Sequence, residues 1–148
     1  MTKKDKELLL KDLSARLPYG VKVAFFNEDL TYHSEHKTLI QIDCINNLNY
    51  SRLEDEDGNS TIIEFVKPYL FPMSSMTEEQ ESYMHFNTKF NIDRFETITP
   101  KIDEDDSPMY TEAEDWIALF DWFNKNHFDY RGLIEKGLAL DATGLNIY

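Results

Sequence analysis

The segment HFDYR, residues 127–131, brings together an imidazole, a carboxylate and a guanidinium at His127, Asp129 and Arg131. A histidine beside a carboxylate can act as a general base, and an arginine can stabilise a developing negative charge. One interpretation is therefore a catalytic set. The other is structural, because Asp129 stands where its carboxylate can accept hydrogen bonds from the exposed N–H groups of a helix start.

We favour the structural interpretation, which predicts a helix from Asp129 onward. Its buried stripe would hold Leu133, Ile134 and Leu138. Arg131 and Glu135 would form an outward-facing pair at i and i+4. His127 would end the preceding helix, where the partial negative charge of the helix terminus favours the protonated imidazole.

Two further segments contain groups that bind metals elsewhere. His33 and His36, in HSEH, are weak metal candidates with Glu35, since they lie in a predicted loop without an evident fourth ligand. The segment DEDGNS resembles the start of a calcium loop. Its glycine comes one place early, however, and Val66 stands where such a loop needs a bidentate glutamate. We therefore interpret DEDGNS as a hairpin tip and expect no cofactor and no resident metal.

Composition limits the function classes. The chain has 148 residues, which favours a single domain over residues 1–148, with 28 acidic against 15 basic residues and a formal net charge of −13. So acidic a surface disfavours direct binding to nucleic acid or to anionic membranes. Cys44 is the only cysteine, which excludes an intramolecular disulfide. No signal peptide and no membrane-spanning run is recognisable, so we expect a cytoplasmic protein.

The elements that must position these residues follow from periodicity. A capping box at Thr2 and Asp5, with leucines at helical spacing, predicts an N-terminal helix that Pro18 ends. The period then changes to two, which predicts an antiparallel meander of three or four strands over residues 21–66. In this meander Ile40, Ile42 and Cys44 share a face, with Cys44 as a small core residue.

Helical signals return after Pro68 and Pro72, which we expect to end the sheet. Overlapping capping boxes at Ser75 and Thr77 start one helix, and Thr111 with Glu114 starts another. Residues 88–110 are read as loop with a strand at 94–98. The fold class is therefore α+β: an N-terminal helix, the β-meander, and C-terminal helices packed on one face of the sheet. The predicted core consists of Leu9, Leu13, Val23, Phe25, Ile40, Ile42, Ile63, Phe65, Trp116, Phe120, Phe123, Leu133 and Ile134.

Three segments carry a resemblance to known proteins: KDLSARLPYGVKV at 11–23, VKPYLFPMSSMTEEQ at 66–80, and NHFDYRGLIEKGLALDATGLNIY at 126–148. Together they resemble a family of uncharacterised proteins encoded by gut anaerobic bacteria, often in prophage or mobile-element regions. The resemblance covers about a third of the chain. It implies a cytoplasmic protein of phage or mobile-element origin, and it implies no activity and no catalytic residues.

Three functional hypotheses remain. The first is a non-enzymatic accessory protein, monomeric or weakly self-associating, that binds another protein through aromatic residues, with Tyr19, Tyr69, Phe71 and Trp122 as contact candidates. The second is an acidic decoy that mimics nucleic acid and occupies a DNA-binding protein. The third is an enzyme with a site near His127. We also expect the apolar tail to dock onto the domain and to bury Leu145 or Ile147.

Overall fold

The computed structural model describes residues 1–44, 51–92, 98–105 and 107–148, except for the side chain of Ile92. It is an α+β structure with an N-terminal helix, a mostly antiparallel six-stranded sheet and one C-terminal helix. The predicted strand at 94–98 falls almost wholly on residues outside this description. None of the helices among the described residues is long and apolar enough to cross a membrane.

The helices are α1 (Lys3–Arg16), α2 (Glu78–Asn87) and α3 (Ala113–Lys125). The strands are β1 (Lys22–Phe26), β2 (Tyr32–Cys44), β3 (Ser51–Asp55), β4 (Ser60–Ile62), β5 (Val66–Leu70), β6 (Phe90–Ile92), β7 (Ile98–Pro100) and β8 (Leu140–Asp141). Short 3₁₀ turns follow α1 at Leu17–Tyr19 and flank β5 at Ile63–Phe65 and Met73–Ser75.

The main sheet has the strand order β4-β3-β2-β1-β5-β8, and its strands pair antiparallel except for β5 with β8. Strands β1 to β4 fall within residues 21–66, and the sheet continues past Pro68 through β5 and β8, which the prediction did not include. That proline lies inside β5, paired with Val23 of β1. Proline lacks the N–H that a ladder needs, and it fits here because β8 reaches only the two residues beyond it, Tyr69 and Leu70.

A β-bulge in β2 changes which residues face the core. The pairing of β2 with β3 slips between Leu39 and Gln41, so one residue is left over and the alternation of faces is reset. As a result Leu39 is buried and Ile40 is 52% exposed. The prediction that Ile40 and Cys44 belong to the core was therefore wrong, and Cys44 is exposed.

Helix α1 packs on one face of the sheet and closes the first core. The predicted capping box is present, since the Thr2 hydroxyl accepts from Asp5 N and the Asp5 carboxylate accepts from Thr2 N. Leu9 and Leu13, one turn apart, are fully buried against the sheet. This core is almost entirely aliphatic: Leu9, Leu13, Val21, Val23, Phe25, Leu39, Leu53, Ile63, Val66, Leu70, Leu133, Leu138 and Ala139.

A second core lies apart from the first and, except for Leu119, its buried members are methionine and aromatic side chains. Its buried members are Met73, Met76, Met84, Phe90, Leu119, Phe123 and Phe128. They come from α2, α3, the β6–β7 hairpin and the turns beside them. Helix α3 therefore contributes to this second core, whereas we expected it on the sheet. Trp116 and Phe120 are half-buried at its margin.

The segment after α3 differs from the predicted helix. Residues 130–137 form a series of turns, with Gly132 and Gly137 at φ +65° and +68°. These left-handed conformations suit glycine and interrupt a right-handed helix. Leu133 and Leu138 are nevertheless buried in the first core. The segment thus fills the role of the predicted apolar stripe without being helical.

Candidate functional site

His127 occupies a backbone position that normally belongs to glycine. Helix α3 ends in a Schellman motif, in which His127 N donates to Asn124 O and Phe128 N donates to Phe123 O. The residue at the left-handed position of this motif is His127, at φ +59°. A side chain in that conformation costs about 1–2 kcal/mol relative to an ordinary one. Such retained strain is a reason to look for a use of the imidazole.

His127 is buried, and its imidazole has no hydrogen-bond partner among the described residues. The residue is 6% exposed, and its ring stacks on the Tyr148 ring at a centroid distance of 3.8 Å and an angle of 16°. Within the described residues, its Nδ1 is the one buried side-chain nitrogen or oxygen without a hydrogen-bond partner. Burial, with a smaller effect of the Arg16 charge, lowers the pKa of His127 from 6.5 to about 4. The ring is therefore neutral at pH 7, and the prediction of a protonated His127 was wrong.

Tyr148 is held in place by its hydroxyl group. The hydroxyl donates to Tyr69 O at 2.6 Å and accepts from Lys22 N at 3.0 Å, which fixes the ring across the ends of β1 and β5. Ile147 packs with Tyr69 and Ala142 on the sheet face opposite α1. The tail therefore contacts the sheet as expected, but it does not fully bury either predicted residue: Ile147 is half-buried, Leu145 is 42% exposed and Tyr148 is 43% exposed.

His127 lines a cleft of about 530 Å³ between the sheet and the second core. A volume of this size lies in the usual range of about 300–1,000 Å³ for small-molecule pockets. The walls are aromatic, formed by Phe71, Phe128 and Tyr148. The Phe71 ring lies 6.3 Å from the Phe128 ring and 5.7 Å from the Tyr148 ring. The remaining lining residues are polar: Ser75, Thr77, Gln80, Lys125 and Asn126.

The other two members of the predicted catalytic set are engaged elsewhere. The Asp129 carboxylate accepts from Leu133 N at 2.8 Å and from Ile134 N at 2.7 Å. It thus caps the turn that follows, as the structural interpretation predicted. No hydrogen bond or ion pair joins His127, Asp129 and Arg131 to one another among the described residues.

Arg131 is bound to a residue 119 positions away. Its Nη1 donates to Asp12 Oδ1 at 2.9 Å, in place of the predicted pair with Glu135. Asp12 is fully buried and also binds Arg16 through both oxygens, at 2.8 and 3.1 Å. Arg16 in turn donates to Phe128 O at 2.7 Å and to Phe123 O at 3.4 Å. This buried network ties α1 to the C-terminal end of α3, directly behind His127.

Nothing in the sequence pointed to the network or to Tyr148 as parts of the site. Asp12 and Arg16 have the helical spacing of an ordinary surface ion pair. Their burial depends on packing against α3, more than 100 residues away, which periodicity does not report.

The metal candidates are separated in the structure. His33 and His36 lie in β2 rather than in a loop. The His36 ring contacts the Tyr69 ring at a centroid distance of 4.8 Å and a tilt of 59°, whereas His33 lines a hollow with Phe26 and Phe65. Among the described residues, no three His, Cys, Asp or Glu side chains come together where they could hold a metal ion.

The segment DEDGNS forms the β3–β4 hairpin turn, as expected. The buried Asp55 carboxylate accepts from Ser34 Oγ at 2.6 Å and from Asn59 N at 2.9 Å. Burial raises the pKa of Asp55, but the hydrogen bonds from Ser34 and Asn59 lower it by more. The pKa of this carboxyl group therefore lies below its usual value.

The four contact candidates do not form one surface. Tyr69 is 3% exposed, and burial raises the pKa of its phenol to about 12. Tyr19 is half-buried in the turn after α1. Phe71 lines the cleft, and Trp122 stacks on Phe128 at 5.6 Å and on Tyr83 at 6.1 Å. Phe71 and Trp122 thus lie at the same end of the molecule, whereas Tyr69 is too buried to be a contact.

Sequence reasoning missed the most exposed aromatic side chain of α2. Phe86, on α2, is 82% exposed and borders a hollow of about 440 Å³ that Met84 and Phe90 also line. Tyr83, one turn earlier, is 51% exposed. The signal was available, because Tyr83 and Phe86 have the i, i+3 spacing of a shared helix face.

Comparison with known proteins finds no matching family model, no similar curated protein and no similar solved structure. The functional argument therefore depends on the geometry of this chain alone.

Proposed function

We propose that this chain is a non-enzymatic accessory protein that binds another protein, and that Tyr83, Phe86 and Trp122 form its contact surface. The observation that carries the proposal is Phe86, a phenylalanine that is 82% exposed at the edge of a hollow that Met84 and Phe90 also line. Burying such a side chain in an interface contributes roughly 1.5–3 kcal/mol. Aromatic side chains are also enriched at the centres of protein interfaces.

The rings of Tyr83 and Trp122 already pack on each other. Trp122 is sandwiched between Phe128 and Tyr83, with interplanar angles of 11° and 13°. Because Tyr83 and Trp122 are already packed, contact with a partner should cost little side-chain entropy at these two residues.

The hydrogen bonding of the weak catalytic candidates supports a non-enzymatic role. Asp129 uses both oxygens to hold backbone N–H groups, and Arg131 is paired with Asp12. Neither group is poised to act on a substrate beside His127. The cytoplasmic location and the phage or mobile-element origin belong to the same proposal and rest on the resemblance of the three segments.

The acidic residues near the β3–β4 turn give less support to a nucleic-acid decoy. Glu56 pairs with Lys22 at 3.5 Å, and Asp57 pairs with Lys37 at 2.6 Å. A decoy needs a row of free negative charges, and these two are neutralised by neighbouring lysines.

Affinity capture with matched variants tests the proposal. The bait proteins are the wild type, Phe86→Ser, and Leu30→Ser as a control at another exposed apolar side chain, 74% exposed. We expect a partner that wild type and Leu30→Ser retain and Phe86→Ser releases, followed by a measured loss of affinity with the purified partner. Equal retention by all three would place the interface elsewhere, and no retained protein would contradict protein binding. Capture that collapses at high salt would favour the decoy instead.

A further inference from the structure

We infer that the cleft beside His127 is a binding site for a small aromatic carboxylate, separate from the protein contact surface. In this arrangement the ring of the ligand packs among Phe71, Phe128 and Tyr148. Its carboxylate accepts a hydrogen bond from His127 Nε2 and faces Lys125. The site does not depend on the protein-binding proposal, and either can fail without the other.

The first step is the tautomer of His127. Nδ1 is buried without a partner, whereas Nε2 is neither buried nor hydrogen-bonded within the described residues. A buried N–H without an acceptor is rarer in proteins than a buried acceptor without a donor. The proton of the neutral ring is therefore assigned to Nε2, which leaves the lone pair on Nδ1. His127 then presents a donor at its accessible edge.

The second step is the charge around the cleft. Lys125 lines it and forms no ion pair within the described part of the chain. Behind His127, the network of Asp12, Arg16 and Arg131 holds two guanidinium groups and one carboxylate, a formal charge of +1. The ten-residue helix α2 begins at the cleft with Thr77 and Gln80, but its first turn also carries Glu78, Glu79 and Glu81, which offset its positive end. The positive charge available to a ligand in the cleft is therefore that of Lys125, together with the network behind His127, although the whole chain carries −13.

The third step is the shape of the ligand. Three aromatic rings wall the cleft, and Tyr148 is held by two backbone hydrogen bonds. The wall rings lie 5.7 and 6.3 Å apart, within the range of about 4.5–7 Å at which aromatic rings pack against each other. They therefore form one continuous aromatic wall against which the ring of a ligand can lie. A flat ring with a short acidic arm matches both the walls and the donors. The left-handed His127 then has an explanation, since glycine in its place would remove the donor.

Nuclear magnetic resonance titration with three soluble probes tests the inference. The probes are phenylacetate, phenylacetamide, which lacks the charge, and cyclohexylacetate, which lacks the aromatic ring. We expect saturable shifts at His127 and Tyr148 with phenylacetate, and affinities about tenfold weaker for the other two. Equal affinity for phenylacetamide would overturn the anionic assignment, and equal affinity for cyclohexylacetate would overturn the aromatic one. An absence of saturable shifts with all three would overturn the site.

Variants locate the binding groups. His127→Phe keeps a ring that can stack on Tyr148 and removes the donor, and Lys125→Gln removes the cation. We expect each to weaken phenylacetate binding about tenfold, while the controls His33→Phe and Lys4→Gln bind like wild type. Unchanged binding by His127→Phe would overturn the inference. Near-ultraviolet circular dichroism establishes whether each variant is folded. If His127→Phe folds poorly, Lys125→Gln still tests the inference, because Lys125 is exposed and its replacement should not disturb the fold.

Discussion

The two cores of this protein differ in composition and in closure. The core between α1 and the sheet is almost wholly aliphatic, and most of its members are 0–1% exposed. The core between α2, α3 and the β6–β7 hairpin is built from methionine and aromatic rings, with Phe71, Trp116, Phe120, Trp122 and Tyr130 only partly covered. Close-packed aliphatic side chains define one rigid arrangement. Aromatic rings that remain partly exposed leave surface for contacts, so the first core serves as a scaffold and the second carries the candidate sites.

The largest expected effect comes from breaking the link between the cores. Arg16→Met removes the guanidinium that joins Asp12 on α1 to Phe123 O and Phe128 O. We expect the free energy of unfolding to fall by about 3–5 kcal/mol, because Asp12 stays buried with one partner fewer. Both tryptophans lie in the second core. Their fluorescence should therefore change at a lower denaturant concentration than the far-ultraviolet circular dichroism does.

The control for this experiment is Lys3→Met, at an exposed ion pair with Glu7 on the same helix. Exposed pairs contribute little to stability, so its two transitions should coincide with those of wild type. Coincident transitions in Arg16→Met as well would mean that the cores unfold as one unit without the network.

A smaller loss of stability is expected at acidic pH, and it concerns His127, which lies beside the second core. The pKa of His127 is about 4 in the folded protein, against 6.5 for an unperturbed histidine. The unfolded chain therefore binds a proton first as the pH falls. Stability that is fully present above pH 6.5 is lost between about pH 6.5 and pH 4, by on the order of 3 kcal/mol at most.

Denaturation at pH 7 and pH 5 measures this loss, with His127→Phe as the comparison. The variant has no imidazole to protonate at this position, so its stability should fall less over the same interval. His33→Phe, at an exposed histidine, should behave like wild type. Parallel losses in wild type and His127→Phe would mean that other groups cause the acid sensitivity.

The smallest of the three effects concerns the sheet face opposite α1, where the tail covers a third apolar cluster around Ala24, Tyr69 and Ala142. Removal of residues 145–148 exposes part of that cluster and leaves Tyr69 O and Lys22 N without the Tyr148 hydroxyl. We expect a loss of about 1.5–3 kcal/mol and a melting temperature lower by roughly 5 °C. Tyr148→Phe, which removes the hydroxyl alone, should lose less. A melting temperature unchanged by the deletion would contradict docking of the tail.

Local sequence signals were reliable wherever the interaction is local. The capping boxes at Thr2 and Thr77 are present, and the Asp57–Gly58 turn forms the predicted hairpin. The signal at Thr111 was displaced by one residue, since Glu112 caps α3. In each case the interacting atoms lie within four residues of each other, so a short stretch of sequence is enough to predict the interaction.

Predictions failed where a distant partner decides the outcome. Alternation placed Ile40 inside, but the bulge in β2 turned it outward. The segment after Asp129 is not helical, because two glycines in it adopt the left-handed conformation. Arg131 pairs with Asp12 instead of Glu135. For the candidate site, the sequence indicated the residue but not its environment. His127 was singled out by its type, but its burial, neutral state and stack on Tyr148 arise from tertiary packing alone.

The parallel pairing of β5 with β8 has a consequence for the order in which the protein folds during synthesis. Tyr69 and Leu70 pair with Leu140 and Asp141, and the whole second core lies in the chain between them. Until the ribosome has delivered that stretch, the outer side of β5 is an uncovered edge that can recruit strands from other chains. Contacts so far apart in sequence also form slowly. This edge of the nascent chain is therefore where we expect aggregation to begin and where a chaperone would act first.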